Sequence, residues 1–253
     1  MQAVAPANRP ERQTDWSSVN WRAVNRRVRN LRQRIFRATQ HGDWNKVQSL
    51  QRLMPRSYAN TLVSVRRVTQ VNAGKRTAGV DKLVVKTPAV RGRLVDHLMT
   101  AQPWKVQPTK RVYSPKANGK RRPLGSPTIG DRCFQARVKN ALEPCWEAQF
   151  EATSYGFRPG RGCHDAIAKV FTVAQPQTRK VWVVDADIKG AFDNISHNHV
   201  LAAIGSFPAK ELIRQWLKAG YVEKNVFHAT DTGTPQGGVA TPPTMWQTCG
   251  IWG

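Results

Sequence analysis

Residues 181–195 read V-W-V-V-D-A-D-I-K-G-A-F-D-N-I, an apolar run that ends in two carboxylates. The apolar run predicts a buried strand. Because side chains alternate along a strand, Asp185 and Asp187 at its end point to the same face. The chain holds 16 acidic against 40 basic residues, so two acids at the end of a hydrophobic strand favour a specific role, and a divalent metal is the natural partner. Gly190 permits close approach to the backbone, and Phe192 offers a flat apolar wall beside the acids.

The composition favours a nucleic-acid partner. The 253 residues allow one large domain or two small ones, and 40% of them are hydrophobic, so the chain can bury a core. The formal net charge of +24 indicates a polyanionic partner, because each neutralised phosphate releases counterions. An anionic membrane surface stays open as an alternative, but no apolar run approaches the roughly 18 residues of a membrane span.

The N-terminal segment and the cysteines favour a cytoplasmic location. Residues 1–15 lack the hydrophobic segment of a secretory signal, and we expect them to form a flexible basic arm. The four cysteines are far apart and lack C-x-x-C spacing, which fits reduced thiols better than a disulfide framework or a zinc site.

A cationic amphipathic helix is predicted from Trp16 onward. Apolar residues recur at steps of three and four from Trp21 to Ile35, which is typical of one buried helix face. Seven arginines occupy the other faces without an interspersed acid, and these arginines would repel one another without a polyanion. We therefore expect RNA contact, although an ordinary solvated face is the alternative. The candidate RNA-binding residues of this helix are Arg22, Arg26, Arg27 and Arg29.

A basic hairpin is predicted at residues 115–127, where Asn118-Gly119 is a strong turn signal. Its cations suit a triphosphate, because arginine supplies forked hydrogen bonds and lysine supplies a point charge. The alternative is an exposed basic loop or a nonspecific RNA contact. The cations around the turn are Lys116, Lys120, Arg121 and Arg122.

Two glycine-rich loops carry residue types suited to nucleic acid. Residues 154–162, S-Y-G-F-R-P-G-R-G, combine stacking aromatics with Arg158 and Arg161 as phosphate ligands. The alternative is a structural turn whose aromatics fill the core. Residues 233–238, G-T-P-Q-G-G, present Gln236 to a base or sugar edge, with an ordinary loop as the alternative.

The pattern as a whole predicts an α+β fold in which helices dominate the first half. The helix at 129–150 is expected to bury one side, which includes Ile129, Phe134 and Val138. Strand-like segments are predicted at 104–114, in the hairpin, and as two short strands at 220–229. The predicted helices after the first cover 44–54, 58–71, 88–99, 129–150, 164–173 and 197–218.

The order of these motifs resembles the reverse transcriptases encoded by group II introns, from about residue 16 to about residue 240. The resemblance lies in four blocks that follow one another in family order: P-K-A-N-G-K-R-R-P-L-G-S-P-T-I-G-D-R, S-Y-G-F-R-P-G-R-G-C-H-D-A-I, D-I-K-G-A-F-D-N-I and G-T-P-Q-G-G-V. In addition, N-A-G-K-R-T-A-G-V-D at 72–81 resembles the extra upstream block of these enzymes. The resemblance implies a right-hand polymerase fold, with a helical N-terminal extension at 16–85, fingers at 86–180 and a partial palm at 181–253.

The resemblance also implies roles for individual residues. Asp187 takes the position of the catalytic carboxylate that binds magnesium, assisted by the carbonyl of Ile188, whereas Asp185 lies before the motif. The implied partners are an RNA template with its primer and a dNTP, and the implied reaction is two-metal phosphoryl transfer. The implied nucleotide-binding residues are Lys116, Lys120, Arg122, Phe192 and Gln236.

One element of the family pattern is missing. The family needs a later Tyr-x-Asp-Asp hairpin, but residues 239–253 contain no acid. We therefore expect a truncated chain that does not polymerise DNA alone. It either acts with a separate C-terminal fragment or serves as a non-catalytic, maturase-like module that binds intron RNA. An unstable pseudogene product with exposed sheet edges is the third alternative.

Overall fold

The computed structural model describes residues 13–100, 103–115, 119, 121–175, 177, 182–186, 190 and 192–234. As predicted, the fold is α+β: a helical first half is followed by a four-stranded mixed sheet and further helices. The helices are α1 (Trp21–Gln40), α2 (Trp44–Arg56), α3 (Tyr58–Arg66), α4 (Pro88–Thr100), α5 (Ile129–Glu147), α6 (Cys163–Val173), α7 (His197–Ala203) and α8 (Lys210–Lys218). The strands are β1 (Thr109–Pro115), β2 (Arg121–Ser126), β3 (Tyr221–Glu223) and β4 (Val226–His228). None of the helices in the described ranges is both long and apolar enough to cross a membrane.

Local sequence signals define α1 and α2. The side chain of Asn20 caps α1 by accepting a hydrogen bond from the backbone N–H of Ala23 at 3.0 Å. Asp43 caps α2 in the same way, with the N–H of Lys46 at 3.1 Å. Between the helices, Gly42 adopts the left-handed conformation with φ +68°. The predicted apolar stripe of α1 is confirmed, because Val28, Leu31 and Ile35 are buried.

A π-helical turn (Arg67–Val71) extends α3, so the helix predicted at 58–71 is confirmed with altered geometry at its end. A short 3-10 turn (Ala73–Arg76) then opens the glycine-rich segment 72–81.

Helix α5 lies at the centre of the helical core and contacts α1, α2, α3 and α4. The predicted apolar side of α5 is confirmed, because Ile129, Phe134 and Val138 are buried. Polar residues of the same helix that were not predicted to be buried lie inside as well, among them Arg132, Gln135 and Arg137. Arg137 donates to the carbonyl oxygens of Pro55 and Leu98, each at 2.9 Å, and burial lowers the pKa of its guanidinium to about 10. This side chain therefore joins the C-terminal ends of α2 and α4 to α5.

A buried carboxylate organises the start of α5. Asp131 has no exposed surface. Its carboxylate accepts hydrogen bonds from Trp104 Nε1 and Thr128 Oγ1, both at 2.8 Å. It also accepts from the backbone N–H of Gln107 at 3.2 Å and from Trp216 Nε1 at 3.3 Å. One side chain thus connects α5, the segment before β1, and α8.

The four strands are ordered β2-β1-β3-β4. A hairpin is confirmed: β1 and β2 are antiparallel, with Lys110 opposite Ser126 and Pro115 opposite Arg121. It is longer than the predicted range 115–127, because its first strand begins at Thr109, within the segment 104–114 that was predicted as a separate strand. Of the residues that connect these strands, the structure describes only Gly119, with φ +75°. Strand β1 pairs in parallel with β3, and β3 pairs antiparallel with β4, so the two strands predicted at 220–229 are also confirmed.

Two predicted elements are corrected. The helix predicted at 197–218 is two helices, α7 and α8, because the turn between them contains Gly205 at φ +55° and Pro208. The buried strand predicted from Val181 onward is wrong for residues 182–186, which form no strand and carry Trp182 at 91% exposure. No strand in the described part of the chain pairs with this segment, and a strand needs such a partner for its backbone hydrogen bonds.

The flexible arm predicted at residues 1–15 is wrong for its last residues. Thr14 is buried, and its backbone N–H donates to Asp96 Oδ2 at 2.9 Å. The carbonyl of Thr14 lies so close to Gly92 that a Cβ at that position would come within 2.1 Å of the oxygen. The chain is therefore anchored on α4 before α1 begins, while residues 1–12 lie outside the described part.

Candidate nucleic-acid interface

The cationic face of α1 is exposed, as predicted. Among the described residues, Arg32 is the only arginine of α1 that forms an ion pair. Its Nη2 lies 2.6 Å from Glu143 Oε2, and its Nη1 donates to Asn140 Oδ1 at 3.2 Å. The four exposed arginines proposed from the sequence are Arg22, Arg26, Arg27 and Arg29. These four guanidinium groups are positioned to meet an external anion, and their contact with RNA stays a prediction.

A basic groove of about 550 Å³ lies between α1, the π-helical turn, α5 and the loop 154–162, and we call it the α1–α5 groove. Its charged lining consists of five cations and one acid: Arg29, Arg32, Arg67, Lys139, Arg158 and Glu143. Glu143 binds Arg32 and also Lys139, whose Nζ is 3.2 Å from Oε1. Burial lowers the pKa of Lys139, and the nearby Glu143 opposes that shift.

The loop 154–162 uses its arginines to hold itself together, so the prediction that Arg158 binds RNA is wrong. Arg158 is 6% exposed; its Nη2 is 2.6 Å from Glu147 Oε1, and its Nη1 donates to the carbonyl oxygen of Ser154 at 2.8 Å. Arg161 donates to the same Ser154 oxygen at 2.9 Å and lies 5.3 Å from the centre of the Tyr155 ring. Among the described residues these hydrogen bonds use Nη1 alone and Arg161 is half-exposed, so its predicted contact with RNA stays a prediction.

An exposed aromatic side chain in this loop was not singled out from the sequence. Phe157 borders the α1–α5 groove and is 71% exposed, with φ +57°. The available signal was its position between Gly156 and the Arg158-Pro159 pair, in a loop whose composition suggested stacking.

Of the three hairpin residues predicted to bind the nucleotide, the structure describes only Arg122. Arg122 is exposed on β2, opposite Ser114 of β1. Lys116 and Lys120 lie outside the described residues, so the proposed cluster of three cations is not tested.

A second basic groove, of about 1080 Å³, runs along residues 69–91. The sequence does not indicate this cluster of cations, because its members are spread over more than one element. They are Lys75, Arg76, Lys82, Lys86 and Arg91. Arg132 fixes the segment that carries them by donating to the carbonyl oxygens of Gly74 and Thr77. A Cβ at Gly79 would lie 2.7 Å from Thr128 Cα, so this segment packs closely against the start of α5.

Two motifs that are distant in sequence meet at residues 192–197 and 232–234. The N–H of Thr234 donates to the carbonyl of Phe192 at 2.7 Å, and the N–H of Gly233 donates to the carbonyl of Ile195 at 2.9 Å. Nε2 of the buried His197 hydrogen-bonds to the Gly233 carbonyl at 2.7 Å. The structure therefore brings Phe192, which is half-buried, to the start of the P-Q-G loop. Gln236 itself lies outside the described residues.

The predicted metal site cannot be built from the described residues. Asp187 and Ile188 lie outside them, and Asp185 is exposed. Within the described ranges, no three His, Cys, Asp or Glu side chains come together in a group that could hold a metal ion. The magnesium site predicted at Asp187 and Ile188 therefore stays a prediction.

Comparison with known proteins identifies the family. A family model for the N-terminal domain of reverse transcriptase matches residues 16–98. A second model, for reverse transcriptase (RNA-dependent DNA polymerase), matches residues 114–249, which is more than half of the chain. The chain belongs to the reverse transcriptase family.

The relatives of this reverse transcriptase chain support its resemblance to the group II intron branch. Protein YkfC of Escherichia coli (strain K12) is 35% identical over 212 residues, which cover 78% of this chain and 54% of that protein. Group II intron-encoded protein LtrA of Lactococcus lactis subsp. cremoris is 43% identical over 141 residues, 54% of this chain and 23% of LtrA. An uncharacterized 91 kDa protein in the cob intron of Schizosaccharomyces pombe is 35% identical over 177 residues, 68% of this chain and 21% of that protein. The chain thus spans about half of YkfC and about a fifth of the other two.

Proposed function

We propose that this reverse transcriptase chain binds group II intron RNA as a maturase-like module. The observation that supports the proposal is the cationic face of α1, whose exposed arginines have no acidic partner in the described residues. Phosphate contacts dominate the affinity of proteins for nucleic acids and do not require catalysis. The proposal therefore needs neither Asp187 nor a bound metal.

The test compares two triple variants that remove the same charge. Arg26, Arg27 and Arg29 are changed to Gln in one, whereas Arg93, Arg214 and Lys218, which are exposed on α4 and α8, are changed to Gln in the other. We expect the α1 variant to bind group II intron RNA at least tenfold more weakly, because three phosphate contacts are lost. The control variant should stay within about threefold of the unaltered protein. Equal losses in both variants, measured by filter binding, would show that only net charge matters and would contradict a site on α1.

Further parts of the proposal come from the family resemblance. We propose that Asp187 and Ile188 would hold magnesium, and that Lys116, Lys120, Arg122, Phe192 and Gln236 would contact a dNTP and its template. A cytoplasmic location is proposed from the cysteine pattern. Residues 1–253 contain no Tyr-x-Asp-Asp sequence, so we expect these residues by themselves not to polymerise DNA.

A second candidate function is DNA polymerisation together with a separate chain that supplies the missing carboxylates. The supporting observation is exposed apolar surface on α6, where Ile167, Val170 and Phe171 are at least 64% exposed. Trp182, Val183 and Val184 are at least 87% exposed as well. Exposed apolar patches of this kind are typical of protein–protein contacts.

Primer extension tests this candidate. The protein is incubated with a primed RNA template, dNTPs and magnesium, with and without a separately expressed C-terminal half of a related reverse transcriptase. Extension only in the complemented reaction, lost on Asp187→Ala, would support the candidate. Absence of extension in the complemented reaction, beside an active control enzyme, would reject it.

A further inference from the structure

We infer that the α1–α5 groove binds an unpaired nucleotide of RNA, with the base stacked on Phe157 and the adjoining phosphates held by Arg29 and Arg67. This inference rests on the proposed function, because it specifies which form of RNA that function recognises. In this inference the loop 154–162 binds RNA by stacking Phe157 on a base, whereas the sequence predicted that the loop binds phosphates through its arginines.

The first argument is the charge left over in the groove. Glu143 is shared by Arg32 and Lys139, and Arg158 is neutralised by Glu147. Arg29 and Arg67 line the same groove and take part in none of the ion pairs formed by the described residues. Two guanidinium groups are thus free to bind phosphate in a groove whose acid is already engaged.

The second argument is the conformation of Phe157. A bulky residue in the left-handed region is strained, and such strain commonly marks a functional site. Burial of the ring does not compensate for the strain, since Phe157 is 71% exposed. The strained conformation presents the ring to solvent at the edge of the groove.

The third argument is the support behind the ring. Arg158, adjacent to Phe157, makes hydrogen bonds to Glu147 and to the carbonyls of Glu151 and Ser154. Arg161 donates to Ser154 as well. These hydrogen bonds brace the loop that carries Phe157 before any ligand binds, which lowers the entropic cost of ordering the loop when a base stacks on the ring.

These features of the groove favour the binding of single-stranded RNA over duplex RNA. In an A-form duplex the bases are stacked on one another and paired, so a side chain at the surface reaches phosphates and 2′-hydroxyls but no base face. An unpaired base in a loop, bulge or end can stack on an aromatic ring. Phe157 should therefore contribute to the binding of unpaired RNA and not to the binding of duplex RNA.

The experiment measures the affinity of the whole protein for two probes by fluorescence anisotropy: an unstructured RNA oligonucleotide of about ten nucleotides and a blunt RNA duplex of the same length. The variants are Phe157→Leu, which keeps an apolar side chain but loses the ring, and Phe157→Tyr, which keeps the ring. Arg67→Gln removes one of the two free guanidinium groups. Melting curves check that the variants remain folded.

We expect Phe157→Leu to weaken binding of the single strand about tenfold and to leave duplex binding within twofold, because one stacked base is lost. Phe157→Tyr should bind both probes as the unaltered protein does. Arg67→Gln should weaken the binding of both probes. It should also make the slope of log K against log [salt] shallower, by the contribution of about one phosphate contact.

Two results would overturn the inference. One is single-strand binding unchanged by Phe157→Leu, and the other is an equal loss for both probes. If the unaltered protein bound neither probe nor intron RNA, the proposed function would fail together with the inference. If it bound intron RNA but showed either of the two results, only the stacking site would be rejected.

Discussion

At the scale of single residues, Asp131 accepts more hydrogen bonds than its place in the sequence suggests. It occupies the first turn of α5, where an acidic residue is ordinarily explained by helix capping. In the structure its carboxylate also receives the indole N–H groups of Trp104 and Trp216. The sequence contains nothing to indicate that these two tryptophans converge, because they lie 27 and 85 residues away.

Asp131→Asn should lower the free energy of unfolding by about 2–3 kcal/mol, because the amide nitrogen cannot accept hydrogen bonds from these buried donors. Glu211→Gln is the matched control. It also removes one negative charge, but Glu211 pairs with Arg214 at the surface, where the expected cost is at most about 1 kcal/mol. Urea denaturation measures both values. Similar values for the two variants would contradict the role given to Asp131.

Two arginines illustrate why residue roles in a loop are hard to predict from composition. Glycine, arginine and aromatic residues are the composition of a nucleic-acid contact, and they are equally the composition of a tight loop braced from within. Arg158 serves the second purpose, since its donors reach carboxylate and carbonyl oxygens in and beside its own loop. Arg161 braces the loop through Nη1, while its predicted contact with RNA stays a prediction. Only the structure distinguishes the two uses, because it locates the acceptors.

At the scale of elements, the contact between residues 192–197 and 232–234 depends on Gly233. This residue has φ +79°, and a Cβ there would lie 2.8 Å from the carbonyl oxygen of Asp193. The close approach allows the N–H of Thr234 to reach the Phe192 carbonyl. The sequence identified both motifs, and the structure supplies the reason for a glycine at their junction.

Gly233→Ala should destabilise the protein more than Gly160→Ala does. Both glycines have positive φ, +79° and +71°, so both variants carry the left-handed strain of about 1–2 kcal/mol. A Cβ at Gly160 would meet no atom within 4 Å, whereas one at Gly233 would meet backbone oxygens. We expect about 1–3 kcal/mol of additional loss for Gly233→Ala, together with faster hydrogen exchange at the Thr234 amide. Equal destabilisation by the two substitutions would show that the motifs do not pack closely here.

The elements that were predicted from the sequence share a physical property. Helix α1, the β1–β2 hairpin and the strands β3 and β4 each carry a local signal, such as an apolar stripe, a turn dipeptide or alternation. The apolar side of α5 was predicted correctly, but its buried polar residues were not, because helices pack on several sides of α5 and Arg137 is buried through hydrogen bonds to carbonyl oxygens. The segment 182–186 was predicted as a strand from apolarity alone, and strand formation depends on a pairing partner that local sequence does not specify.

At the scale of the whole molecule, the scarcity of acids determines where positive charge remains. The chain has 40 basic and 16 acidic residues. Several acids are used inside the structure: Asp131 receives indole groups, Glu143 binds two cations and Glu147 binds Arg158. The face of α1 and the two basic grooves are consequently left with uncompensated charge, which accounts for the expected attraction to RNA.

The dependence of RNA affinity on salt concentration tests this account most directly. Each phosphate neutralised on a single strand contributes about −0.7 to the slope of log K against log [salt]. If Arg22, Arg26, Arg27 and Arg29 of α1 and Arg67 in the α1–α5 groove meet phosphates, we expect a slope of about −3 or steeper for the unaltered protein with group II intron RNA. The slope should become shallower by about two when Arg26, Arg27 and Arg29 are replaced by Gln. A slope near zero, or one that these three substitutions leave unchanged, would contradict the claim that the cationic face of α1 binds RNA.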